Sequence, residues 1–208
     1  MSGSMSLADL VADLKVSLHD AANVFTAASD ADFSRLLAVS AQDFGRHRPL
    51  LLSGSVTLIA GTASYDAPTD LAAFSRETWS VGRTPQPWEA TYPGALPRVS
   101  VIGKPGARKL AFSPAPTDLQ LTVLGSAFGF IYLAIHVIDS DATKTTVPPE
   151  DRGLLILRAQ AEAMREMAMR NTGKPVTRVE SGFSGIPRNG TPSHLFTVLM
   201  DEFKGALA

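Results

Sequence analysis

The 208-residue chain contains no cysteine, which excludes disulfides, thiol nucleophiles and thiolate metal sites. It also lacks an excess of charge of either sign. Nineteen Lys and Arg stand against twenty Asp and Glu, for a net charge of −1, so no global attraction to nucleic acid or to an acidic membrane is expected. Long apolar runs are missing too: the longest, residues 127–137, is interrupted by Gly129 and His136 and is too short to span a bilayer. The N-terminal stretch MSGSMSLADL has no basic region leading into an apolar run, so no signal peptide is expected. These absences lead to the expectation of a soluble protein made in a cytoplasm, with no membrane partner.

Chemistry-bearing patterns are equally sparse. His19, His47, His136 and His194 show no HxxxH or HExxH spacing, so no metal site is expected. Ser181-Gly182-Phe183-Ser184-Gly185 lacks the G-x-S-x-G order of a nucleophile elbow. Gly173-Lys174 runs into Pro175 rather than Ser or Thr, so it is no phosphate-binding loop. Asp9, Asp13, Asp66, Asp70, Asp139 and Asp141 are spaced as helix caps and turn formers, not as a catalytic pair. Zinc fingers, RNA-recognition signatures and basic helices are absent, which argues against sequence-specific reading of nucleic acid. No catalytic residue, cofactor or metal is expected, and the chain reads as architecture rather than as an enzyme. An enzyme whose site is assembled only in the fold stays as the alternative from another class.

What is present is a set of well-delimited elements. Hydrophobic content of 45% and charged content of 19% are ordinary for a globular chain of this length, which suits one domain or two small ones. Ser6 followed by Asp9 resembles a capping box, and Leu7, Leu10, Val11, Leu14 and Leu18 form a helical stripe behind it. After a loop at 21–28, a second helix is expected from Ser29 or Asp30. It carries Phe33, Leu36, Leu37, Ala41 and Phe44, and Gly45 and Pro49 close it. Arg46-His47-Arg48 is read as a solvated helix end.

From residue 53 the pattern changes to short strands with frequent breakers: 55–60, 77–81, 99–102, 110–112, 119–124 and 131–137. A small antiparallel barrel or sandwich is expected there. Within it, residues 83–98 hold four prolines and form an irregular loop. Trp88 and Tyr92 on this loop either pack beneath it or serve as contacts to another subunit or neck protein, since contact hot spots favour Trp and Tyr.

Residues 146–175 carry the most complete helix signals. Val147 precedes Pro148 and Pro149, which suit a first turn, and Glu150 and Asp151 complement the helix dipole. Gly173 and Pro175 end it. Leu154, Leu157, Ala161, Met164 and Ala168 define the expected apolar face, with Arg152, Arg158, Glu162, Arg165 and Glu166 mostly elsewhere. Residues 173–192, with four glycines and three prolines, read as a flexible tether. A final helix follows with Leu195, Phe196, Leu199, Met200 and Phe203, either docked on its own bundle or inserted into a partner's groove. The fold class is therefore α+β: a helical bundle of two N-terminal helices, one long helix and a C-terminal helix, with an inserted β domain. The expected divisions are 1–53, 54–139, 140–173 and 174–208.

The order of these parts resembles the head-to-tail connector (adaptor) proteins of tailed bacteriophages and gene transfer particles. The family's "G-T-x-x-Y-x-x-P-x-D" turn is matched by Gly61, Thr62, Tyr65, Pro68 and Asp70. Its "P-x-P" after a strand is matched by Pro114 and Pro116, and its "V-P-P-E/D" helix start by Val147, Pro148, Pro149 and Glu150. The resemblance covers roughly residues 7–171. It implies a structural virion protein at the head–tail interface, forming a homo-oligomeric ring of typically twelve copies under the portal. Its partners would be the portal ring, a stopper or tail protein, and passing genomic DNA without sequence-specific binding. The C-terminal arm, through Leu195, Phe196, Leu199, Met200 and Phe203, would grip the portal. The bundle would line or flank the channel, which makes Arg158, Glu162 and Arg165 the channel-facing candidates. A stopper is the alternative within the same neck, and the long helix argues against it. A monomeric binding module is a further alternative.

Overall fold

The structure, a computed structural model, describes residues 4–79, 82, 85–104, 106–170 and 191–207. Two compact units emerge. Residues up to Arg48 and from His136 onward form one, and Pro49–Ile135 forms the other. The chain thus starts the helical unit, builds the β unit, and returns to complete the first. The protein is mixed α+β, with five α-helices and two three-stranded antiparallel sheets among the described residues.

In the helical unit, α1 (Leu7–Leu18) starts where the Ser6 hydroxyl accepts a hydrogen bond from the Asp9 amide at 3.3 Å. It buries Leu10, Val11, Leu14 and Leu18, the expected stripe. The expected loop after it winds into a 3₁₀ turn at His19–Val24. α2 (Ala31–His47) buries Phe33, Leu36, Leu37, Ala41 and Phe44. Gly45 does not close this helix. It sits inside it, where a Cβ would come within 3.2 Å of the His136 ring, so its role there is close approach. His136 is itself buried, with Nδ1 3.1 Å from Thr146 Oγ1 and Nε2 3.0 Å from the Arg48 carbonyl.

α4 (Arg152–Arg170), entered through a 3₁₀ turn at Pro149–Asp151, is the centre of this unit and touches α1, α2 and α5 (Pro192–Leu207). No residue from Leu154 to Met164 is exposed. This corrects the single apolar face read from the sequence. Leu154, Leu157 and Ala168 are only partly buried, whereas Leu155, Ala159, Ala161 and Ala163 are fully enclosed. Periodicity weights the leucines, but a helix packed on several sides brings its neighbours closest at small residues. Each large buried side chain contributes about 1.5–3 kcal/mol.

In the β unit, one sheet has the order β1 (Leu50–Thr57), β6 (Ala127–Ala134), β3 (Leu71–Glu77). The other has β2 (Ser64–Asp66), β5 (Ala107–Ser113), β4 (Arg98–Lys104). β1 and β6 pair from Leu50↔Ala134 to Thr57↔Ala127. Opposite Phe130 stands Gly54, where a Cβ would lie 2.6 Å from the ring, so the glycine makes room for the aromatic. Phe112 of one sheet meets Phe128 of the other edge-on at 4.9 Å, and Phe130, Tyr132 and Trp79 extend the aromatic core. Neither sheet closes on itself.

Four expected strands need correction, the first of them, 55–60, lying earlier as β1. The segment 119–124 is not a strand but part of α3 (Asp118–Leu124), because Thr117 and Gln120 form a complete capping box. The strand expected at 77–81 lies earlier, as β3, and residues 80, 81, 83 and 84 lie outside the described residues. The strand expected at 131–137 also begins and ends earlier, as β6. The turn expected at 61–70 holds the short strand β2.

Candidate functional site

Three places gather the residues singled out by sequence. The first is the α2–α4 seam. Arg158 Nε lies 2.6 Å from Asp43 Oδ2, and its guanidinium lies 3.2 Å from Glu162 Oε2. Arg165 binds the other Glu162 oxygen, with Nε at 3.0 Å. Arg158 and Glu162 are buried, with side chains only 9% and 6% exposed, whereas Arg165 is open to solvent. The expectation that all three face a channel therefore narrows to Arg165: the other two are occupied inside the unit, because Asp43 on α2 draws Arg158 inward.

One turn further, Glu166 accepts from Arg35 and Arg170, each at 2.7 Å, and the Arg170 guanidinium lies 5.1 Å from the Phe25 ring centre. Burial pushes the Glu162 carboxyl up, but hydrogen bonds from Arg165 and Arg158 outweigh it and hold the group below its ordinary value. Glu166 is likewise pushed up by burial and brought lower by Arg35 and Arg170, and Asp43 is held low against burial by Arg158. Every carboxylate in this seam faces a guanidinium, so the arrangement fastens helices and offers no poised general base.

The second place is α5. Phe203 is fully enclosed, with its ring edge-on to His47 at 5.7 Å. Phe196, Leu199 and Met200 are partly buried against the same core. Leu195 remains 37% exposed, with Val198 beside it at 38%. Of the five residues read as a portal grip, four are thus turned toward the chain's own helical unit, and Leu195, the most exposed of them, lines the open cleft between α5 and α4.

The third place is the loop before β4. Trp88 is 81% exposed and Tyr92 37%. Successive turns link the Glu89 amide to the Gln86 carbonyl and the Tyr92 amide to the Glu89 carbonyl, both at 2.9 Å. Buried Gln120 then donates to the carbonyls of Pro93 and Ala95 at 3.2 and 2.9 Å. The loop is therefore pinned from beneath while Trp88 points out. Trp79 shows the contrast: it is buried, with Nε1 donating to the Gly125 carbonyl at 2.8 Å. Sequence reasoning missed Gln120, although Thr117 three residues before it was a legible cap signal.

The turn motif quoted above is scaffolding in the β unit. Gly61 has φ +77° and its amide donates to the Pro116 carbonyl at 2.8 Å, which ties the first turn to the P-x-P segment. The Tyr65 hydroxyl bridges Ile59, accepting from its amide at 2.8 Å and donating to its carbonyl at 2.9 Å. Asp70 accepts from the Tyr132 hydroxyl at 3.2 Å.

Among the described residues no group of three or more His, Asp or Glu side chains is placed to hold a metal ion, and no helix is long and apolar enough to cross a membrane. A groove of about 680 Å³ runs open between α1 and α4 and is lined by Val16, Ile156, Leu157 and Gln160, with the Asp13–Arg152 ion pair at its rim. No protein-family model matches the chain, and neither does any curated protein.

Proposed function

We propose that this protein is a structural component of a virus-like particle, a head-to-tail adaptor that forms a ring under the portal. The observation that carries the reading is the order of parts. Two helices, a β unit and a long returning helix occur in the sequence of the connector proteins that the chain resembles, and the matched turn residues Gly61, Tyr65 and Asp70 hold that β unit together. The interrupted helical unit supports it as well, because a ring subunit needs two unlike surfaces, and two separately built units supply them.

In this reading the adaptor extends the DNA channel and offers a platform to the stopper or tail. Its β unit is a two-sheet sandwich placed against neighbouring neck components, with Trp88 and Tyr92 at the contact. Arg165 faces the channel, where it meets passing DNA without reading its sequence. The C-terminal arm meets the portal through the side of α5 that carries Val198, since the opposite side is taken up by α4. Localisation is the neck of the particle, after synthesis in the host cytoplasm.

Immunogold labelling of the tagged full chain on particles released from producing cells tests this directly. Label at the head–tail junction is expected. Label on the head shell or tail tip, or particles without the protein, contradicts the reading.

A further inference from the structure

The connection between α4 and α5 is longer than their packing requires. Leu195 and Leu199 share a cleft with Met164 and Met167, in the second half of α4. Phe203 lies instead against His47, next to Arg48, which pairs with Asp151 just ahead of α4 at 3.2 Å. The two helices therefore run antiparallel, and such neighbours are joined by about 2–8 residues. Here residues 171–190, twenty in all, separate Arg170 from Thr191 and lie outside the described residues. A chain of that length spans at most about 70 Å extended and about 25 Å as a random coil.

The seat of α5 is also self-contained. Its principal partner is α4, and Phe203 is its single fully enclosed side chain. At its first half a cleft of about 370 Å³ stays open between α5, α4 and His19. The packing of α5 on α4 is the most extensive between two helices among the described residues, so a bare seat is unfavourable and is filled by whichever copy supplies the helix.

We infer that, in the assembled protein, α5 of one copy occupies the α4 seat of the next copy, so that neighbouring chains are tied by an exchanged arm. This rests on the ring reading above. Self-seated and exchanged forms make the same contacts, so the choice is governed by which seat lies within the reach of the linker. An isolated chain seats its own helix. Copies held side by side offer a second seat within reach, and passing each arm to the next copy around a closed ring leaves none unfilled. A connection of twenty residues reaches a second seat that a short hairpin turn would not.

The absence of cysteine makes the test clean. One full chain carries only Met167→Cys, a second only Leu195→Cys, and the two are co-expressed and treated with a short bis-maleimide. A link between the two different chains in the ring-sized fraction is the expected result. A ring-sized fraction without that link, from chains that link internally when both substitutions are on one polypeptide, overturns the exchange and leaves the ring standing. Failure to find any species larger than a monomer overturns the ring reading and the exchange with it. A second variant lacking residues 176–187 keeps enough connection for self-seating. A severalfold loss of ring yield is expected from it, and an undiminished yield overturns the exchange.

Discussion

The two units are held together by different chemistry. The helical unit has a core of aliphatic side chains and four phenylalanines, Phe25, Phe33, Phe44 and Phe203, crossed by a charged seam where Asp43, Arg158, Glu162 and Arg165 join α2 to α4. The β unit has a core of Phe112, Phe128, Phe130, Tyr132 and Trp79, and its Lys109–Asp66 ion pair, at 3.6 Å, is exposed. Apolar packing of large rings is insensitive to pH and specifies position through shape. A buried ion pair is sensitive to the loss of either partner, and it adds directionality more than net stability. The difference suggests a division of labour: a rigid β unit presenting Trp88, and a helical unit whose alignment is set by charge.

The largest expected effect breaks the β side. Phe128→Ala removes a ring from the middle of the aromatic cluster and costs about 3–5 kcal/mol. Hydrogen exchange should show protection lost across β1, β6 and β3 while α1 amides keep theirs. Equal loss in both units would mean that they do not differ as described.

The charged side breaks next. Arg158→Met removes one partner from half-buried Asp43 and from buried Glu162, and should destabilise the helical unit by about 3 kcal/mol in urea unfolding. Adding Asp43→Asn and Glu162→Gln to that variant should restore part of the loss. No recovery would show that the charges matter for shape alone.

Acid sharpens the comparison because the signs differ. Glu162 and Glu166 titrate below their ordinary value of 4.5 in the folded chain, so their stabilising contribution is present above pH 4.5 and is lost as pH falls through the lowered values. Burial raises Glu77 in the β unit, so its folded form favours the proton. That contribution grows as pH falls through the raised value toward 4.5 and is lost as pH rises through it. Lowering the pH from 6 to 3 should therefore destabilise the helical unit and not the β unit, as followed by hydrogen exchange. Parallel loss in both would contradict the assignment. The smallest stability effect belongs to Trp88→Ala, within about 0.5 kcal/mol, together with a loss of assembly or partner contact.

Much of this was legible in the chain. The caps at Ser6 and Pro148–Pro149, and the stripes of α1 and α2, are local signals and appear where the structure has them. The charged seam was not. Arg158 and Glu162 look like solvent residues on any helical projection, and only the approach of Asp43, 115 positions away from Arg158, turns them inward. The same limit applies to α3: its apolar residues read as a strand until Thr117 and Gln120 are seen as a cap. The exposure of Trp88 was left open because a loop's packing depends on what lies under it, here Gln120.

The central claim is the ring. Native mass measurement on the tagged full chain, recovered from its own source, addresses it most directly. A complex carrying many copies of the 22.1 kDa chain, twelve being expected, together with one large ring-forming partner is what the account predicts. A monomer at every concentration, with no partner, would contradict it.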